Sequence, residues 1–476
     1  MKFDVSSPHK EFTNHLLLPE NERILFSGIF GIGKTTFLNE YFKGHSDYVA
    51  IHLYPVNYSV VSNDDIFRLI KFDILCELLG RGIEYDLLEV GSWETLSLLS
   101  QKETLEALRP FVKSIPKLGK TVDEILSGLR NFVEILHEKK AEITIDTKNE
   151  HIKFLKEFSL TSPNLYEEDL ITELISELLE TLKRPAEEAN KKLVLIVDDL
   201  DRLDPEHIFR ILNVFAAQVD KVGRSKFGFD HVIVVCDVLN IRNIYSHRYG
   251  VSVDFNGYLD KFYSHEVFVF DNSLIITKNV YQVLENSSNV LAKKHQSLLQ
   301  LGNTQNIFTK CLCYILTELI NRKRVNLRDI GRIQNLENIV SGRKKVFVNE
   351  REIVSGEVPI FLIVDYLLVI FQSWIDLVDS IKACRDFHNV EFNSQQMVSL
   401  HETIITGIQI LSNIYPNGQS IFILPNSSDE IKVDIRFLQQ NYFVSKIIEK
   451  DNNPKLNFFE LLTEFLIKCE QKGIYN

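Results

Sequence analysis

The sequence predicts an α/β fold in which a parallel β-sheet carries helices on both faces and a mainly helical domain follows. Three short apolar runs carry this prediction: RILF from Arg23, LVLIVDD from Leu193 and HVIVVCD from His231. Uninterrupted apolar runs are typical of parallel strands covered on both faces. Each run ends in small or polar residues and leads into a segment with helical spacing, as βαβ alternation requires.

The composition sets limits on function. The chain has 476 residues, 45% hydrophobic and 25% charged, which leaves room for two or three domains. Its formal net charge of -12 argues against a generally basic nucleic-acid binder. Six scattered cysteines suggest neither a zinc site nor a disulfide framework, so we expect a cytoplasmic protein.

The N-terminus and one apolar run in the C-terminal part are the segments that bear on targeting and membrane insertion. The N-terminus MKFDVSSPHKEF lacks the apolar region of a signal peptide. The run from Val358 to Trp374 is short for a membrane span and carries Asp365 in its middle. We therefore expect a buried helix of the C-terminal domain and no membrane partner.

The first strand runs into a glycine-rich turn with the pattern G-x-x-x-x-G-K-[ST]. Glycines let backbone N–H groups face phosphate oxygens, the lysine reaches the outer phosphates, and the hydroxyl ligates Mg²⁺. The full match between a strand and a helix disfavours the alternative of a chance turn. The predicted nucleotide-binding residues are Gly28, Ile29, Phe30, Gly31, Ile32, Gly33, Lys34, Thr35 and Thr36.

The second strand ends in the string DDLDRLDP, which places carboxylates at the sheet edge where α/β sheets bind ligands. Asp198 is the predicted Mg²⁺ ligand, through water, beside Thr35. Asp199 is the predicted catalytic group that orients the attacking water. Asp204 and Pro205 are typical of a helix start. The alternative for the aspartates is a solvated loop after a core strand.

The third strand ends at Asp237, where a group that senses the γ-phosphate would stand. A simple turn carboxylate at the end of a strand explains Asp237 equally well. The sequence leaves the two readings open.

Taken together, GIFGIGKT, LVLIVDDLDRLDPEHI, HVIVVCDVLNI and YLDKFYSHEVFVF resemble the KAP family of P-loop NTPases, relatives of the STAND and AAA+ ATPases. The resemblance covers about residues 10–340. It implies the additional-strand P-loop fold with sheet order 5-1-4-3-2, ATP and Mg²⁺ as ligands, ATP hydrolysis and self-association. Many members of the wider group are conformational switches, and several bacterial ones act in defence against phage.

The resemblance suggests five segments. We predict the two halves of the NTPase core at 1–86 and 169–272, a helical insertion at 87–168, a helical lid at 273–340 and a mainly helical C-terminal domain with small hairpins at 341–476. KAP proteins often carry membrane helices between the nucleotide motifs, whereas this insertion is polar. Its apolar spacing suggests a surface for a partner or oligomer.

The catalytic acid departs from many related ATPases, which use glutamate where this chain has Asp199. The shorter side chain favours slow, switch-like turnover.

Basic residues in the lid are candidates for stabilising transition-state charge. Arg328 and Arg332 lie one helical turn apart in NLRDIGR, and Arg328 is the first candidate for an arginine supplied to a neighbouring subunit. The alternative is a solvated helix face. Arg202 could instead pair with its neighbouring carboxylates. The basic run NRKRVNLR could contact nucleic acid, but the net negative charge of the chain disfavours such a contact.

Sequence patterns in the C-terminal domain predict helices and hairpins but no catalytic or ligand-binding residues. We expect a hairpin in KKVFVNEREIVSG, helices over 358–413, a second hairpin around Asn426 to Glu430 and a terminal helix LNFFELLTEFLIKC. His388 and His401 are too isolated to be ligands.

Two classes of function follow. The first is an oligomeric ATPase switch, in a bacterial defence system, that regulates an effector protein encoded by a neighbouring gene. The second is a nucleotide-binding scaffold with negligible turnover.

Overall fold

The computed structural model describes the residues 6–55, 66–79, 170–183, 190–217, 226–280, 284, 304–334, 345–348, 351–354, 358–385, 394–412, 418–423, 425, 430–438, 442–450 and 456–475. The predicted insertion at 87–168, its boundaries, the 340/341 boundary, His388 and most of the second predicted turn lie outside these ranges.

The described residues form two compact units. The sheet unit comprises Ser6–Ile29 and Lys34–Phe270, and the C-terminal unit comprises Phe30–Gly33 and Asp271–Asn476. The middle of the glycine-rich loop therefore groups with the C-terminal unit.

The sheet unit contains a five-stranded sheet in which every neighbouring pair is parallel. Its order is β2-β3-β4-β1-β5, which is the predicted order 5-1-4-3-2 read from the other edge. The strands are β1 (Arg23–Ser27), β2 (Tyr48–Leu53), β3 (Lys192–Val197), β4 (His231–Cys236) and β5 (Phe268–Val269).

Helices cover the strands of this unit, and its longer described helices are α1 (Ser6–Leu16), α2 (Lys34–Gly44), α3 (Ile66–Leu79), α4 (Leu170–Lys183), α5 (Pro205–Ala217) and α6 (Val238–Tyr249), followed by the short α7 (Phe255–Leu259). Three single 3₁₀ turns lie at Leu200–Arg202, Lys226–Gly228 and Asp260–Phe262.

The two faces of the sheet have different packing. Because side chains alternate along a strand, neighbouring residues of β1 face opposite sides. Phe26 enters an aromatic cluster with Phe12 of α1 and Phe37 of α2. Leu25 instead joins the aliphatic core that β3 and β4 share with α3, α4 and α5. The prediction of helices on both faces is confirmed.

The C-terminal unit is mainly helical, as predicted. After a helical segment at 273–280, it contains α8 (Thr304–Asn321), α9 (Leu327–Gln334), α10 (Pro359–Phe371), α11 (Trp374–Lys382), α12 (Ser394–Leu411) and α13 (Phe458–Gln471). Two antiparallel sheets accompany them: the hairpin β6 (Lys345–Val348) and β7 (Arg351–Val354), and a three-stranded sheet of β8 (Gly418–Ile423), β9 (Glu430–Leu438) and β10 (Tyr442–Lys450).

The apolar run at 358–374 forms the buried helix α10, eight of whose side chains lie in the core of the unit. The helix ends earlier than the apolar run, because Gln372 adopts a left-handed conformation with φ of 56° and Ser373 caps α11 through Asp376 N–H. Among the described helices, none is by itself long and apolar enough to cross a membrane; α10 and α11 meet that test only as a pair, bent by 106°.

Candidate nucleotide-binding site

The glycine-rich loop follows β1, which lies beside the central strand β4. Gly28 N–H donates to Cys236 O at 3.1 Å, and Val238 N–H donates to Ser27 Oγ at 3.2 Å. These two hydrogen bonds hold the first residue of the loop beside the end of β4. Helix α2 begins at Lys34. The loop therefore has the strand–turn–helix setting that the motif requires.

Two glycines of the loop adopt backbone conformations that other residues rarely take. Gly31 has φ of +77° and Gly33 has φ of +99°. A Cβ at Gly31 would also lie 2.7 Å from the side chain of Asn326. Conformation and space both demand glycine at position 31.

A second asparagine holds the same part of the loop. Asn272, which is buried, donates from Nδ2 to Ile32 O at 2.6 Å. Asn272 thus binds a loop carbonyl, and the Asn326 side chain lies against the loop turn at Gly31, both within the C-terminal unit. Neither residue belongs to the sequence motif.

Lys34 is buried and bonded to the loop itself. Its Nζ donates to Gly28 O at 2.6 Å and to Ile29 O at 3.3 Å. A buried ammonium needs such partners because desolvation without them is costly. The lysine charge is thereby held at the start of the loop rather than out in solvent.

Asp198 is fully buried, and donors fix both of its carboxylate oxygens. His52 Nε2 lies 2.9 Å from Oδ2, and Asp199 N–H donates to Oδ1 at 2.8 Å. Burial by itself would raise the pKa of Asp198, but its interaction with His52 and hydrogen bonds from Thr35 and Asp199 N–H hold that pKa below the ordinary value.

The same residues test whether Mg²⁺ fits. A buried carboxylate whose pKa is held low, with the Thr35 hydroxyl near enough to contribute to that shift, offers the hard oxygen donors that Mg²⁺ prefers. Mg²⁺ usually takes only one or two protein carboxylates and completes its shell with phosphates and water. The donor set fits the ion.

Asp199 differs from Asp198 in backbone conformation and in the direction in which its surroundings shift the pKa. Its φ of 52° and ψ of 36° are left-handed, a conformation that aspartate tolerates better than most residues. Burial and the neighbouring charge of Asp198 raise the pKa of Asp199, against the opposing effects of Arg202 and Lys34. Arg202 Nη1 lies 3.1 Å from Asp199 Oδ2. The aspartate therefore has an arginine partner in its own turn.

The other carboxylates of this edge have structural partners. Asp201 Oδ2 accepts from Asn240 Nδ2 at 3.1 Å, and Asp204 caps α5 by accepting from Glu206 N–H at 2.9 Å. Asp237 caps α6, accepting from Leu239 N–H at 3.0 Å. Of the two readings left open for Asp237, the turn carboxylate is the one that its hydrogen bond supports.

The two lid arginines have different surroundings. The Arg328 guanidinium carbon lies 4.6 Å from the centroid of the Phe30 ring, in the same chain and the same unit. Arg332 binds Asp329 at 3.2 Å and Ile370 O at 2.7 Å. Only Arg328 of this pair contacts the loop, and Arg332 is engaged in holding α9.

Sequence reasoning missed His52, Asn272 and Asn326. His52 stands on β2, a strand that the sequence analysis did not assign, so no motif drew attention to it. Asn326 lies in the segment VNLRDIGRIQN, whose arginines were the predicted functional residues. Asn326 also caps α9, because its Oδ1 accepts from Arg328 N–H at 2.9 Å. An N-cap signal before LRDIGR could have identified it.

Comparison with known protein families agrees with this geometry. The sequence model described as the KAP family P-loop domain matches residues 20–341, about two thirds of the chain. The match spans the loop, Asp198, Asp199 and Arg328, and it supports nucleotide binding and hydrolysis at the level of the family. No curated protein matches the chain.

Proposed function

The chain belongs to the KAP family of P-loop NTPases, and on that premise we propose that it binds ATP with Mg²⁺ and hydrolyses it as a molecular switch. The observation that carries the proposal is a glycine-rich loop in which Lys34 Nζ lies 2.6 Å from Gly28 O, together with a fully buried aspartate, Asp198, at the end of β3. Thr35 stands at the start of the helix that follows β1, and Asp198 follows β3, which β4 separates from β1 in the sheet. Those are the two groups that a phosphate-bound Mg²⁺ would need to contact.

Each residue has a distinct task in this proposal. The loop N–H groups from Gly28 to Thr36 bind phosphate oxygens, and Lys34 places a positive charge against the outer phosphates. Thr35 and Asp198 hold Mg²⁺, which when bound would neutralise charge on the phosphate oxygens. Asp199 orients the attacking water, from a backbone conformation fixed by the tight turn after β3.

The ion pair between Asp199 and Arg202 supports slow turnover. Arg202 Nη1 lies 3.1 Å from Asp199 Oδ2. The arginine therefore competes with the attacking water for the carboxylate of Asp199. A switch benefits from a long-lived nucleotide state, whereas a scaffold with negligible turnover is the limiting case of the same arrangement. This observation keeps the scaffold as the second candidate.

The wider role rests on the family resemblance. We propose that the chain self-associates and that its nucleotide state regulates an effector from a neighbouring gene in a bacterial defence system. A direct contact with nucleic acid is not favoured, because the net charge of the chain is -12.

Phosphate release from ATP by the purified protein tests the proposed activity. We expect Mg²⁺-dependent release by the wild type and none above background by the Asp199→Asn variant. Asp201→Asn is the matched control, because it makes the same charge change two residues away on a side chain bonded to Asn240. Wild-type release no higher than the background of the Asp199→Asn variant, with ATP binding intact, would favour the scaffold instead.

A further inference from the structure

His52 connects the helix after the phosphate loop to the buried aspartate. It lies on β2, whose register with β3 sets His52 beside Ile196, and Asp198 N–H donates to Leu53 O at 3.0 Å. From there its Nε2 reaches Asp198 Oδ2 at 2.9 Å. Its other nitrogen, Nδ1, lies 2.8 Å from Asn39 Oδ1 on α2.

The imidazole ring is itself held in place. The Tyr54 ring stacks on it with a centroid distance of 4.4 Å and an interplanar angle of 11°. Asn39 Nδ2 also lies 3.4 Å from the Tyr54 hydroxyl, so the two supports of the histidine contact each other. A ring fixed on its face and at Nδ1 presents Nε2 in one direction only.

That direction determines the plane of the Asp198 carboxylate. Asp199 N–H holds Oδ1 and His52 holds Oδ2, so neither oxygen can rotate without losing a hydrogen bond. A buried carboxylate that loses a donor would turn toward another one or lose charge. The remaining donors are Thr35 and the backbone, and a closer bond to Thr35 would occupy the hydroxyl that the metal requires.

We propose that His52 is a positioning residue that orients Asp198 for the Mg²⁺-nucleotide complex. This inference rests on the proposed function, because it assigns His52 to the same site. Residues that orient metal ligands in this way typically contribute 10- to 100-fold to metal affinity. The chemical partner is a divalent cation bound together with a nucleoside triphosphate.

A purely structural role predicts a different result. β2 is an edge strand of the sheet, and His52 could serve only to cover the end of that edge. In that case substitution would lower stability and leave the Mg²⁺ dependence of nucleotide binding unchanged. The two roles therefore separate on a measured Mg²⁺ dependence, independently of turnover.

Three substitutions of His52 sharpen the test. His52→Leu keeps a similar volume and removes the donor. His52→Gln places an amide nitrogen near the position of Nε2, whereas His52→Asn places one near Nδ1, out of reach of Asp198. The Gln and Asn variants form a matched pair of uncharged amides that differ in which ring nitrogen they imitate.

The measurement is the affinity for a fluorescent ATP analogue in EDTA and across a Mg²⁺ titration. We expect the affinity in EDTA to be unchanged in all variants. The Mg²⁺ concentration for half-maximal effect should rise about 10- to 100-fold in His52→Leu and His52→Asn and return toward wild type in His52→Gln. Mg²⁺ dependence within twofold of wild type in His52→Asn would overturn the proposal.

The outcomes distinguish the inference from its premise. Wild type that binds the analogue with no effect of Mg²⁺ contradicts the proposed function itself. If the His52→Leu variant fails to bind the ATP analogue even in EDTA, it has misfolded. The comparison of His52→Gln with His52→Asn then decides between a positioning and a structural role. Equal Mg²⁺ dependence in those two variants would leave the histidine a structural role only.

Discussion

Arg328 lies over the ring of Phe30, an aromatic residue inside the glycine-rich loop, with 4.6 Å between the guanidinium carbon and the ring centroid. Both residues belong to the C-terminal unit, and the ring is about half exposed. Cation–π contacts at exposed sites contribute about 0.5–1 kcal/mol. The loop therefore carries its own support for the arginine that the sequence singled out.

The first prediction concerns this pair. Phe30→Leu should weaken ATP binding about two- to fivefold, because Arg328 loses the face that holds it over the loop. Phe30→Tyr should bind as wild type does. In an Arg328→Met background, Phe30→Leu should have no further effect, which a double-mutant cycle of affinities by isothermal titration would measure. A coupling free energy of zero would show that the contact does not serve the nucleotide.

The second prediction concerns Lys34. Lys34→Ala should lower ATP affinity at least about tenfold, because a charged donor to the outer phosphates is removed while the sheet beneath the loop is untouched. Lys43→Ala, on the exposed last turn of the same helix, is the control and should bind normally. Unchanged affinity in Lys34→Ala, measured by isothermal titration, would refute the assignment of the nucleotide site.

The third prediction divides the roles of the two aspartates. Asp198→Ala should weaken the Mg²⁺ dependence of ATP binding, because a metal ligand acts on the bound ground state. Asp199→Asn should bind ATP and Mg²⁺ normally and fail to hydrolyse, because orienting water matters mainly in the transition state. Binding titrations and single-turnover hydrolysis separate the two. Equal loss of binding in both variants would contradict the division.

Much of the fold and the approach of the loop to Asp198 could be predicted because each depends on local patterns. Uninterrupted apolar runs marked β1, β3 and β4, and the family resemblance supplied the order of the sheet. Strand ends fall at one edge of a parallel sheet, so the loop and Asp198 were expected to approach each other. Thr35, in the first turn of α2, is close enough to Asp198 to lower the pKa of its carboxyl.

The residues that support the site could not be predicted, because their partners are distant in sequence. His52 meets Asp198 across 146 positions, and Asn272 meets Ile32 across 240. Strand β10 was missed for a related reason: YFVSKIIEK lacks strict alternation, and its pairing with β9 contains an irregularity between Ile447 and Glu449. Only a tertiary partner gives such a segment its structure.

The fourth prediction concerns pH and stability. Burial lowers the pKa of His231 despite the opposing hydrogen bond with Asn21 O, and burial likewise lowers the pKa of His15. The unfolded chain, with histidine pKa near 6.5, therefore binds more protons than the folded one below that pH. Stability should be full above about pH 6.5 and fall as the pH drops below it.

Urea unfolding at pH 7.5 and 5.5 would measure this loss. His231→Asn should reduce it, because the amide can keep the bond to Asn21 O without taking up a proton. His247→Asn, a substitution at an exposed position, should leave it unchanged. A urea midpoint that does not fall between these two pH values in the wild type would contradict the prediction.

The last prediction is that hydrolysis needs more than one subunit. Arg202 is the arginine nearest in sequence to the two aspartates, and its ion pair with Asp199 commits its charge to a carboxylate. Charge developing on the γ-phosphoryl group then requires an arginine from elsewhere, a contribution of about 10³- to 10⁵-fold in rate where it has been dissected.

A neighbouring protomer is the source that the family resemblance implies, so activity per mole should rise with protein concentration through the association midpoint seen by mass photometry. Mixing Arg328→Ala protein with Asp199→Asn protein identifies the donor: activity regained in the mixture assigns it to the neighbour's Arg328, and a mixture that stays inactive assigns Arg328 to its own site. Specific activity that stays flat across the association midpoint would exclude a shared site.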